Sequence, residues 1–254
     1  MAGSQASSMM TVLVVSCDEY SDLLGPFIEL FWKYWPDCPF ELVQCGQTVA
    51  AKGFDRSLLC GAGKNWSERL DYALAKISTP YVLLLLDDYF ISSRVDTALI
   101  LRRLEEARRA DALNFRLCPD PPRAVKNTAY SISCKVGIWN REFLHSLVKK
   151  TGTAWEFERF GSFMFDESDS RPLMVTEKLE FPFVDAVHKG YWEKRGVACM
   201  SENGIVYDFS RRAVPPLKVR LKEGLKSLIF KIFPADLIVK EQNAVEKLLK
   251  RVRS

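Results

Sequence analysis

The chain predicts an α/β domain built on a largely parallel sheet. Three observations lead there. Thr11–Ser16 (TVLVVS) is a short β-branched run that reads as a first strand. Tyr81–Leu86 (YVLLLL) is apolar at every position, the pattern of a strand buried on both faces. Between and beyond them, segments with helical spacing alternate with short apolar runs up to Leu117, as repeated strand–helix units do.

Taken in order, Asp18–Ser21 form a polar turn. Leu24, Phe27, Ile28, Phe31, Trp32 and Trp35 then mark a helix over 23–35, stopped by Pro36. Phe40–Gln44 is a second strand, and 45–65 reads as irregular. Ser67 is placed to cap a helix running to Ile77. After the apolar strand come a charged amphipathic helix over Val95–Ala110 and a strand over Ala112–Leu117. Residues 118–123 (CPDPPR) form a loop by composition. Tyr130–Cys134 reads as a strand and Asn140–Lys149 as a helix.

Composition narrows the function classes. Hydrophobic residues make up 48% of 254, enough for a real core. Seven scattered cysteines without a CxxC pair argue against a zinc ribbon and for reduced thiols in a cytoplasmic protein. MAGSQASSMM has neither a basic nor an apolar signal-peptide region, so 1–10 reads as a disordered leader. No apolar run approaches the ~20 residues of a membrane span. The sequon Asn65-Trp66-Ser67 is then a chance match. The net charge of +4 is uneven: 211–254 carries +8 and the remainder −4. Basic amphipathic helices over 213–254 suit an anionic membrane surface, and also suit packing on the domain with solvated lysines. The apolar stripe argues against a nucleic-acid partner.

The chemistry centres on Asp87 and Asp88. Two adjacent carboxylates at the end of a buried strand repel each other and need a cation, a basic side chain or water. In parallel sheets ligands bind beyond such strand ends, so Ser16 and Asp18 after the first strand belong to the same cleft. GAGKNWS (61–67) fails as a phosphate loop. Leu58 stands where the first glycine should be, and Asn65 follows the lysine. The acids fit Mg²⁺ or Mn²⁺, which bind through carboxylates and substrate phosphates.

These stretches resemble a GT-A glycosyltransferase of the family 2-like bacterial kind over residues 11–200. The matching pieces are VVSCDEY (14–20), KNWSERLDYAL (64–74) and LLLLDDYF (83–90), with DDY in place of a strict DxD. The resemblance implies a catalytic domain over 11–212. It implies a nucleotide-sugar donor held by Ser16, Asp18, Asn65, Asp87 and Lys189, and a metal on Asp88 and His188. In TAWEFERFGS (153–162) it implies a general base, Glu156 or Glu158, with Trp155 as a sugar platform. The acceptor would be a glycan or lipid-linked hydroxyl in surface polysaccharide (capsule or O-antigen) assembly. The enzyme would be cytoplasmic and peripheral on the inner membrane face. The other reading is a catalytically silent GT-A-like glycan-binding or membrane scaffold protein. A nucleotidyltransferase fits less well, because SCDEYSD lacks a glycine-rich loop.

Overall fold

The computed structural model describes residues 8–120, 125–166, 168–208 and 211–213. The sequence of elements opens with β1 (Met10–Val15), a 3₁₀ turn (Asp18–Leu23) and α1 (Leu24–Tyr34). Strands β2 (Glu41–Gly46) and β3 (Arg56–Leu59), helix α2 (Trp66–Leu74) and strand β4 (Tyr81–Leu86) follow. Beyond β4 lie β5 (Tyr89–Ile91), α3 (Thr97–Arg109), β6 (Asn114–Arg116), β7 (Gly137–Asn140), α4 (Arg141–Val148) and α5 (Ala154–Gly161). Then come β8 (Leu173–Val175), β9 (Phe183–Asp185), β10 (Val187–His188), β11 (Tyr191–Trp192) and α6 (Lys194–Glu202).

The predicted α/β sheet is present. Seven strands run in the order β3-β2-β1-β4-β7-β6-β8. β1 to β4 are mutually parallel, and β7 is inserted antiparallel between β4 and β6. The all-apolar runs are explained by two cores, one per face. Val12, Val14, Leu83 and Leu85 pack with Phe27, Leu30 and Phe31 of α1. Leu13, Val15, Val82 and Leu84 pack with Leu70, Ala73 and Leu74 of α2. Alternate residues of one strand thus feed opposite layers.

Several boundaries differ from the sequence reading. β1 starts at Met10, which is fully buried, so ordered chain begins inside the expected leader. The cap of α2 is Asn65, not Ser67: its side chain accepts from Glu68 N, and the Glu68 carboxylate accepts from Asn65 N. The irregular 45–65 contains β3. Tyr130–Cys134 is not a strand. Its amides are taken by side chains of the α5 region: Ile132 N donates to Ser162 Oγ (3.0 Å) and Cys134 N to Glu158 Oε1 (2.7 Å). Residues 1–7 of the leader and 214–254 of the tail lie outside the described residues. Among the described residues no helix is long and apolar enough to cross a membrane.

Candidate active site

β1 and β4 are neighbours in register, with Val15 opposite Leu86. The ladder continues past both ends: Asp87 N donates to Val15 O (3.2 Å) and Ser16 N to Cys45 O (2.8 Å). The backbone that carries Ser16 and Asp87 is therefore fixed by the sheet. Above it opens a cavity of about 1080 Å³. Ser16, Asp87, Asp88, Glu158, His188 and Lys189 all line it, so six of the nine predicted side chains meet in one place.

The acids are poorly neutralised. Asp87 is 5% exposed. Burial, then the charge of Asp88, holds its carboxyl well above the usual range, although Ser16 bonds to it. Burial, then the Asp185 carboxylate, pushes Asp88 up to about 7. Asp185 is brought close by the pairing of β5 with β9 and by the bond from Ala186 N to Asp88 O (2.7 Å). Asp87 Oδ2 and Asp88 Oδ1 are buried without a hydrogen-bond partner among the described residues. Two hard oxygens left unsatisfied on adjacent residues fit a divalent cation. Among the described residues no group of three or more His, Cys, Asp or Glu side chains is arranged to hold a metal. The remaining ligands would have to come from substrate and water.

Across the cavity, Glu158 sits on α5. Its Oε1 accepts from Cys134 N (2.7 Å) and Ser133 Oγ (3.1 Å). Burial raises its carboxyl, and these two bonds moderate the rise. Trp155, one helical turn earlier and 53% exposed, also lines the cavity. His188 ends β10 and Lys189 opens the two-residue turn to β11, and both are exposed. Lys189 (φ 52°) and Gly190 (φ 80°) supply the two positive φ values this turn requires.

Three predicted residues do not line the cavity. Asp18 accepts from Thr48 N (3.0 Å), Thr48 Oγ1 (2.6 Å) and Val49 N (3.2 Å), which lower its carboxyl and latch that loop to the turn. Asn65 is the α2 cap. Glu156 closes the capping box of α5, accepting from Gly152 N (2.9 Å) and Thr153 N (3.2 Å). Its carboxylate is taken up in capping its own helix, whereas Glu158 lines the cavity.

The structure adds residues that sequence reasoning missed. Arg69 lines the cavity while only 8% exposed. Its signal was present: it shares the inward face of α2 with Trp66, Leu70 and Ala73, where an arginine is out of place. Lys135 has no such signal. Its Nζ lies 2.9 Å from both Asp185 oxygens, beside the rings of Tyr89 and Phe183.

No family model matches the sequence, and no curated protein matches it. Solved structures of similar shape include a cytidylyltransferase from Leptospira borgpetersenii (TM-score 0.45, 10% identity, covering 77% of this chain and 94% of that one). Another is residues 1–349 of TarS from S. aureus (0.43, 11%, 69% and 59%). A third is a mannosyltransferase from Pyrobaculum calidifontis, solved with GDP-Man and Mn²⁺ (0.46, 13%, 72% and 58%). The chain spans less than two thirds of the latter two. At these scores none of the three decides an activity.

Proposed function

We propose that the chain is a glycosyltransferase that moves a sugar from a nucleotide-diphosphate donor to a hydroxyl of a glycan or lipid-linked acceptor. One observation carries this reading. The orphaned oxygens of Asp87 and Asp88 and the raised carboxyl of Glu158 line one cavity, and that cavity lies beyond the ends of parallel strands. Asp87 and Asp88 would hold Mn²⁺ or Mg²⁺. When bound, the cation neutralises charge on the diphosphate as it leaves. Ser16 and Lys189 then contact the donor, and His188 approaches the same charge from the hairpin.

Glu158 is the general base. It takes the proton of the acceptor hydroxyl as that oxygen bonds to the anomeric carbon and the carbon–oxygen bond to the diphosphate breaks. Attack opposite the leaving group inverts the anomeric centre. The face of Trp155 offers an apolar platform for a sugar ring. The test is thermal melting with UDP, GDP, CMP and dTDP, each with and without Mn²⁺. One nucleotide should raise the melting temperature, and only with metal. No shift with any of them would favour the catalytically silent scaffold.

Capsule or O-antigen assembly at the inner membrane face is the setting that the resemblance suggests. The basic stretch beyond residue 213 would dock the enzyme there. Removing 214–254 should abolish co-sedimentation with vesicles rich in anionic lipid; undiminished pelleting would refute docking through the tail.

A further inference from the structure

Arg212 falls within the basic segment 211–254, at the last position of the expected catalytic domain, yet it is buried. Its side chain is 7% exposed and faces Asp22, itself 3% exposed. Nε donates to Asp22 Oδ2 (2.9 Å), and Nη2 donates to Asp22 Oδ1 (2.7 Å) and to Glu19 O (2.8 Å). The guanidinium carbon lies 4.1 Å from the centre of the Tyr20 ring. Tyr20 in turn lines the cavity. Three kinds of contact from one side chain therefore converge on the 3₁₀ turn that follows β1.

The same stretch of chain reaches the opposite wall. Tyr207 also donates to Asp22, and its ring stands edge-on to Trp192 at 4.8 Å. Trp192 N donates to Ala213 O (3.2 Å). Trp192 lines the cavity beside the His188–Lys189 hairpin. Residues 207 and 212–213 thus link the turn after β1 to the hairpin, across the space between them.

We infer that Arg212 is a positioning residue: it fixes the Asp18–Leu23 turn and the Tyr20 ring as one wall of the cavity, and thereby sets nucleotide affinity. The affinity half of this inference rests on the proposed donor site. A flat guanidinium suits the task, because it serves a carboxylate in a bidentate manner and stacks on an aromatic face at once. Lysine can supply the charge without the fork.

The experiment uses the full chain with Arg212→Met, Arg212→Lys and a control, Arg103→Met. The control breaks another ion pair, the 2.6 Å contact of the partly exposed Arg103 with the buried Glu180, away from the cavity. Amide hydrogen exchange is followed for 17–24 and 187–192. Dissociation constants are measured for UDP, GDP, CMP and dTDP with Mn²⁺. Arg212→Met should speed exchange in both segments ~10-fold and weaken nucleotide binding ~10-fold, an effect Arg103→Met lacks even where it lowers stability equally. Arg212→Lys should fall between. Exchange no faster than in the control, or unaltered affinity despite faster exchange, overturns the inference. If the parent protein binds none of the four, the donor reading and the affinity half of the inference are both refuted. The exchange comparison then decides by itself whether Arg212 holds the wall.

Discussion

Asp88→Asn is expected to make the ligand-free protein melt higher than the parent at pH 8 while removing its response to Mn²⁺ with nucleotide. The first effect follows from linkage. Asp88 titrates near 7 in the folded protein because of burial and the neighbouring Asp185, against ~3.9 in an unfolded chain. Between roughly pH 4 and 7 the folded state holds a proton that the unfolded state has lost, so stability falls as pH rises through that window. Above it the full penalty of an ionised, buried carboxylate remains. Asparagine carries no such charge, so the gain over the parent should be absent at pH 4 and reach at least ~2 °C at pH 8. The second effect follows from the same geometry, since the amide removes one of the two anionic side chains offered to a cation. In the parent, metal must displace the proton, so the Mn²⁺ shift should be strong at pH 8 and weak at pH 5. An Asp88→Asn protein no more stable at pH 8, yet still responsive to Mn²⁺, would show that this carboxylate neither bears the strain nor holds the ion.

Glu158→Gln should lower the rate of transfer by ~10²–10⁴, the usual scale for loss of a general base, with little effect on folding. The amide oxygen can still accept from Cys134 N and Ser133 Oγ, the two bonds made by Oε1. Glu158→Ala would be less informative, because it strands the buried Cys134 N–H as well. Glu156→Gln provides the comparison. Its amide oxygen can still close the capping box, so it is expected to change stability little while sparing transfer. Single-turnover assays alongside urea unfolding separate the two. Equal losses of activity in both variants would remove Glu158 as the base.

The parts of the fold that could be read from sequence are those with local causes. Tyr81–Leu86 declared itself because each of its faces meets a different apolar layer. β3 did not, because Arg56–Leu59 is a short edge strand without an apolar run. The site divides in the same way. Asp87 and Asp88 stood out as charges that the core does not want. Asn65 and Glu156 carry a different local signal, a cap residue paired with a glutamate three positions on, and that signal indicates helix capping. Lys135 and Arg212 had no legible signal. Their partners, Asp185 and Asp22, lie 50 and 190 residues away in the chain, and only the folded topology brings them together.

The parallel pairing of β1 with β4 has a consequence for how the protein is made. Val15 and Leu86 are adjacent in space but 71 positions apart in the chain. On the ribosome, the turn carrying Ser16 emerges well before the acids that complete the cavity floor. A parallel pair of this separation forms slowly, because loop closure must precede the contacts that reward it. A chain stopped short of Asp87 has no site at all, and one stopped short of Arg212 has a floor whose entrance wall is still untied. The burial of the two carboxylates is thus met only once the central strands are in place, and the Arg212 contacts follow after that.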